Sequence, residues 1–213
     1  MTFRAERETP WTEIRWFFVA LCLLPCGSGL GQTESPKEQR TIKQVLEANV
    51  GSSEHALMSV AEAMPEEGYS FAPTNGEFNG VRTFAQMAKH FAVVNFMNAA
   101  ALLGEKTPVD VGEKENGADS IKTKAQILKF LKDSFAYLRK ATNTIDESNL
   151  MKPTKDPWSG KQAPLVLFVT TGLSHPWEMY GQMVIYLRMN SIDPYSNRIG
   201  PDFPEREILR PAK

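Results

Sequence analysis

Apolar side chains recur every three or four residues in four separate stretches of the chain, which is the spacing of one helix face. The stretches run from about 36 to 64, from 82 to 103, from 120 to 145 and from 163 to 189. None of the segments between them shows the alternation typical of a strand. The pattern therefore predicts an all-α fold, an up-down four-helix bundle.

Residues that start and stop helices support these limits. Ser35 and Pro36 are suited to the cap and first turn of the first helix, and Gly104 follows the second helix as a C-terminal glycine should. Pro176 lies inside the fourth stretch, where a proline predicts either a kink or a break beside His175. The segment 149–162 carries prolines and a glycine and is predicted to be a loop.

The third stretch shows its apolar face most clearly. Its lysines and arginines lie largely off that face, as expected of a solvated surface. The predicted inward residues are Ile121, Ala125, Leu128, Leu131, Phe135 and Leu138.

The fourth stretch mixes polar groups into its apolar face. His175, Met179, Gln182 and Tyr186 recur at i, i+4, i+7 and i+11, which places them on one side of a helix. Polar side chains on an inward face either hydrogen-bond a buried group or line a site. This face is therefore the predicted pocket.

The start of the chain has the order of a secretory signal peptide. Three arginines precede the apolar run Trp16–Leu24, and small, turn-prone residues follow as far as Gly31. This order predicts a signal peptide over 1–31 and an exported protein, periplasmic or secreted. Lipoprotein anchoring at Cys26 is the less favoured alternative, because a proline stands next to that cysteine.

The predicted mature chain has one domain, a bundle over 37–195, and an irregular tail over 196–213. Both cysteines, Cys22 and Cys26, lie in the leader, so the mature chain can form no disulfide. The formal net charge of −1 lacks the basic footprint of a nucleic-acid-binding protein. No apolar run in the mature chain is predicted to span a membrane.

Four groups of residues, in this order along the chain, resemble the DinB-like family. They are Tyr69–Thr74, Arg82–Phe84, His90 and the long segment His175–Arg188. The resemblance implies an up-down four-helix bundle and, in many members, a divalent metal held by three histidines. One histidine comes from the second helix and two come from a His-x-x-x-His motif on the fourth. Some relatives are metal-dependent transferases or isomerases that use low-molecular-weight thiols.

By position, the resemblance assigns His90 and His175 as two of the ligands. The third position holds Met179, whose thioether is a poor ligand for zinc or nickel. We therefore expect a divalent ion to be held weakly. Three alternatives remain open: a carboxylate from Glu178, entry of His55 into the pocket, or a Cu(I) site that includes Met179.

The same residues also allow a pocket without metal, in which the two histidines are buried and bonded to Gln182, Tyr186 or backbone. The favoured hypothesis is an exported bundle with a degenerate metal pocket that binds a small molecule or a partner without strong catalysis. The alternative is a divalent-metal-dependent hydrolase or thiol transferase. The sequence identifies no substrate, and a homodimer is compatible with either function.

Overall fold

The computed structural model of the protein describes residues 40–194, and the predicted signal peptide and tail lie outside them. The main elements are four helices: α1 (Ile42–Ala63), α2 (Phe84–Leu103), α3 (Lys124–Thr142) and α4 (Leu165–Met189). The prediction of an all-α four-helix bundle is confirmed. None of these four helices is both long enough and apolar enough to cross a membrane.

Three of the four helices begin with the same capping device. Thr41, Thr83 and Thr123 each accept a hydrogen bond from the backbone N–H of a glutamine three residues later. The side-chain oxygen of the glutamine in turn accepts from the backbone N–H of the threonine. The two bonds together satisfy two otherwise unpaired donors. The predicted starts near Pro36 and Ser120 were therefore too early, because α1 and α3 begin only after these threonines.

The helix ends agree better with the sequence. Gly104 ends α2 in the left-handed conformation, at φ 70°, as predicted. The alternative of a break at Pro176 does not occur, since α4 is one helix from Leu165 to Met189. Pro176 itself is buried, and the helix continues past it although proline supplies no backbone N–H.

The order of the helices around the bundle explains two of its three long connections. α2 packs most extensively on α3, and the other substantial contacts join α1 to α3, α1 to α4 and α2 to α4. This pattern places α1 and α2 across one diagonal and α3 and α4 across the other. The connections from α1 to α2 and from α3 to α4 must therefore cross an end of the bundle, which short loops could not do.

The core is centred on the contact between α2 and α3. The rings of Phe91 and Phe135 lie 5.5 Å apart between their centroids, and Leu131 is 1 % exposed beside them. The predicted inward face of α3 needs a small rotation. Ile127, which was not predicted, is buried, whereas Leu128 is only half-buried and Ala125 is exposed.

The segment between α3 and α4 contains two short strands, where the sequence predicted only a loop. Strand β1 (Pro153–Lys155) pairs antiparallel with β2 (Gln162–Pro164), and Thr154 lies opposite Ala163. The carboxylate of Asp156 accepts two backbone N–H groups in the connecting turn and fixes its shape. Three residues a strand are too few to show period-two alternation, so the hydrophobic pattern could not predict the pair.

Candidate functional site: a pair of histidines between α2 and α4

The structure brings His90 and His175 together from different helices. His90 lies in the first half of α2 and His175 near the middle of α4. Their ring centroids are 5.5 Å apart and the planes meet at 85°. His90 is 7 % exposed, and the side chain of His175 is 18 % exposed. Two largely buried imidazoles therefore meet edge to face.

A loop between α2 and α3 holds His90 by one ring nitrogen. Its Nδ1–H donates to the backbone oxygen of Glu115 at 3.1 Å, and the Glu115 carboxylate lies 3.7 Å from the same nitrogen. In a neutral imidazole this leaves Nε2 without a proton and able to accept. Burial lowers the pKa of His90, and the nearby Arg82 guanidinium lowers it further. The ring is therefore kept neutral.

His175 is held in a similar way. Its Nδ1 lies 3.4 Å from the Glu178 carboxylate, and its ring stacks on Phe91 at 6.1 Å between centroids. Its Nε2 is buried and has no hydrogen-bond partner within residues 40–194. A buried polar atom without a partner costs about 1–3 kcal/mol, so a ligand that donates to this nitrogen would be stabilised.

The residues present do not complete a tight divalent-metal site. Met179 occupies the third position, is 5 % exposed and belongs to the main hydrophobic core. Glu178 approaches His175 from the Nδ1 edge, and its side chain is 63 % exposed. His55 lies exposed on α1, beside a separate groove. Over residues 40–194, no three His, Cys, Asp or Glu side chains are grouped closely enough to hold a metal ion.

The remaining two predicted pocket residues lie in different surroundings. Tyr186 is buried, and its hydroxyl donates to the backbone oxygen of Arg82 at 2.9 Å, which ties α4 to the start of α2. Gln182 is exposed, and its amide lies 3.5 Å from the Glu178 carboxylate. The predicted stripe on α4 is thus only partly inward-facing.

Sequence reasoning missed the loop that covers His90. Lys114 and Glu115 are both in the left-handed region, at φ 53° and 61°, where residues with a Cβ are uncommon. A Cβ at Gly112 would collide with the carbonyl of Gly117, so the loop closes tightly on itself. The one sequence signal was a short polar segment bounded by these two glycines.

Arg82 and Trp158 both form hydrogen bonds to this loop. The Arg82 guanidinium donates to the side-chain oxygen of Asn116 at 2.8 Å and to the backbone oxygen of Lys114 at 2.9 Å. The indole N–H of Trp158, in the turn between β1 and β2, donates to the Glu115 carboxylate at 2.7 Å. All three connections between the helices therefore contribute to the surroundings of His90.

A sequence model of the DinB superfamily matches residues 51–183, which include both histidines and the loop over them. The chain belongs to the DinB superfamily. The family suggested by the sequence motifs is thus confirmed.

A solved structure supports the same fold for this DinB superfamily chain. It is a DinB-like protein from Bacillus cereus ATCC 10987, which superposes with a TM-score of 0.56 at 15 % sequence identity. The match covers 72 % of this chain and 95 % of that one. No curated protein matches this chain significantly.

Proposed function

We propose that this DinB superfamily bundle has a degenerate metal pocket, which binds a small molecule instead of holding a divalent metal for strong catalysis. The observation that carries the proposal is the contact between His90 and His175 with Met179 packed into the core beside them. Two imidazoles and a thioether hold zinc or nickel poorly.

The partnerless nitrogen of His175 suggests what such a ligand would present. With its Nδ1–H directed at the Glu178 carboxylate, the imidazole tautomer presents Nε2 as an acceptor. A hydroxyl or amine donor on the ligand would satisfy this atom. The proposed ligand is therefore a small polar molecule that carries a hydrogen-bond donor.

Restoring the third ligand tests the proposal. Positions 175 and 179 are one turn apart on α4, where Cβ atoms lie about 5–6 Å apart and can serve one ion. Met179→His should raise zinc affinity at least tenfold, about 1.4 kcal/mol, over the natural protein. The measurement is competition against a chelating dye, with calorimetry as a check.

Two further variants make the result decisive. Met179→Leu keeps the bulk without a donor and should bind zinc no better than the natural protein. His90→Ala in the Met179→His background should abolish the gain. If the natural protein already binds zinc as tightly as Met179→His, the pocket is not degenerate and the proposal fails. Glu178→Gln and His55→Ala would then identify the missing ligand.

One observation favours the alternative, a divalent-metal-dependent hydrolase or thiol transferase. Both histidines have Nδ1 next to an oxygen acceptor, the arrangement that usually orients metal-binding imidazoles. Metal content after purification without added metal separates the two functions. A stoichiometric zinc or nickel ion favours the enzyme, and stoichiometric copper would indicate the thioether site with Met179.

The proposed setting is outside the cytoplasm. The arginines and apolar run of residues 1–31 support export, and intact-mass analysis of the exported protein should find an N-terminus near Gln32. A lipid mass on Cys26 would indicate anchoring instead. An unprocessed cytoplasmic protein that begins at Met1 would contradict export.

A further inference from the structure

A cleft distinct from the histidine pair lies between the C-terminal end of α2 and the β1–β2 hairpin. Its volume is about 720 Å³, within the range of small-molecule sites. Met97 and Ala100, both buried, contribute apolar surface to it. Neither His90 nor His175 lines this cleft. It is therefore a separate candidate for ligand binding.

Three lysines give the cleft its charge. Lys106, Lys152 and Lys155 all line it, and all three are exposed. Among residues 40–194, the structure gives none of these ammonium groups a hydrogen bond or an ion pair. Their positive charge is therefore available to a ligand.

The carboxylates that line the same cleft are already engaged. Glu105 accepts from the Tyr137 hydroxyl at 2.6 Å and from the Lys140 ammonium at 3.1 Å, and these two bonds lower its pKa. Asp156 accepts the backbone N–H groups of Trp158 and Ser159, at 2.7 and 3.0 Å. Neither carboxylate forms an ion pair with a lysine of the cleft.

The end of α2 opposes an anion only weakly. A helix C-terminus carries the equivalent of about half a negative charge. Here the carbonyls of Ala100 and Ala101 already accept the backbone N–H of Gly104, and Ala100 also accepts that of Glu105. With Glu105 paired to Lys140, the three lysine charges still outweigh this partial charge and the one full charge of Asp156, so the local field favours an anion.

Trp158 supplies an aromatic wall held in one position. It lines the cleft and is 46 % exposed, while its indole N–H is fixed on the Glu115 carboxylate. Because its polar atom is already bonded, the ring offers apolar contact to a ligand at little entropic cost.

We propose that this cleft, lined by Trp158 and the lysines at 106, 152 and 155, binds a small organic anion with an aromatic body. The ammonium groups recognise a carboxylate, sulfonate or phosphate. The aromatic body packs against Trp158 and the apolar surface of Met97 and Ala100.

The first test uses 8-anilinonaphthalene-1-sulfonate as an aromatic anion and N-phenyl-1-naphthylamine as its uncharged counterpart. Fluorescence titration of the natural protein should give one saturable site for the sulfonate. The Lys152→Gln/Lys155→Gln double variant should lose at least tenfold in affinity for the sulfonate and less than about twofold for the neutral probe. Trp158→Leu should weaken the binding of both probes.

A matched control uses two exposed lysines of α3 outside the cleft. Lys129→Gln/Lys132→Gln removes the same charge and should leave sulfonate binding unchanged. Circular dichroism and thermal melting establish that each variant is folded. Raising the salt concentration should weaken sulfonate binding to the natural protein much more than to the cleft variant, because ions screen exposed charges.

Three outcomes would overturn the proposal. They are equal loss in the cleft and α3 variants, no loss in either, or equal affinity of the natural protein for both probes. His90→Ala should leave sulfonate affinity unchanged, since His90 does not line the cleft. If His90→Ala alone abolishes binding, the probe occupies the histidine pocket, which would support the proposed function but not this second site.

Discussion

The core between α2 and α3 and the histidine pair between α2 and α4 share one helix but differ in construction. Phe91 and Phe135 meet in a mostly apolar core, where one buried polar pair is satisfied internally because Asn95 donates to the Ser134 hydroxyl at 3.2 Å. The histidine pair is also buried, yet it depends on a carbonyl, two carboxylates and a loop in left-handed conformation.

This difference separates stability from specificity. Each methylene buried in the apolar core stabilises the folded state, whatever its exact partner. The histidine end carries a polar nitrogen without a partner and two residues in an unfavourable backbone conformation, each of which costs free energy. Ser52 Oγ and Asn98 Oδ1 are also buried without a partner among residues 40–194, so the histidine end is distinguished by combining such an atom with a left-handed loop, and costs of this kind cluster at sites that bind or react.

The largest expected effect is in the core. Leu131→Ala should lower the free energy of unfolding by about 2–5 kcal/mol, because Leu131 is 1 % exposed and its loss leaves a cavity. Leu128→Ala is the matched control. This leucine is half-buried, so water can fill the space left by the shorter side chain and the loss should be smaller. Chemical denaturation measures both. Equal losses would mean that Leu128 and Leu131 both lie on the inward face of α3, as the sequence predicted.

A smaller effect of opposite sign is expected in the loop over His90. Lys114→Gly should raise stability by about 0.5–1 kcal/mol, because glycine adopts a φ of 53° without the cost borne by lysine. Lys132→Gly, in the middle of α3, should instead lower stability by about 1 kcal/mol. Thermal melting distinguishes them, and a loss at both positions would show that Lys114 is not strained.

The smallest expected effect is a pH dependence from His90. Its folded pKa lies below the ordinary value of 6.5, so the unfolded chain takes up a proton first as the pH falls. Stability should therefore decrease below about pH 6.5 and level off once the folded state is also protonated. Arg82 and His175 oppose the charge, while Glu115 favours it.

Denaturation of the metal-free protein in a chelator, at several pH values, measures this slope. His90→Gln cannot take up the proton and should flatten it. An unchanged slope in that variant would assign the pH dependence to other groups.

The helices could be predicted from sequence because each one buries a continuous apolar stripe. The first residue of each helix was harder to predict. The threonine–glutamine boxes at 41, 83 and 123 decide three starts, and weaker signals such as Pro36 competed with them. Pro176 signalled a kink or a break, and the break is absent because α4 continues through it.

The histidine pair could be predicted from the resemblance to a family, whereas the residues that surround it could not. Periodicity places His175 and Met179 on one face of α4, yet it says nothing about which loop reaches them. Glu115 and Trp158 lie in two different connections and are 43 residues apart in sequence. Their meeting depends on the diagonal arrangement of the helices, which no local pattern encodes.

That diagonal arrangement also has a consequence for the folding pathway. α2 and α3 are consecutive in sequence and share the most extensive contact, so they can form an early hairpin with modest loss of chain entropy. α1 has no extensive contact with α2, its neighbour in sequence, and packs mainly on α3 and α4, so it must wait for these to be in place. We therefore expect this bundle to fold more slowly than one whose successive helices all pack side by side, with α1 docking late.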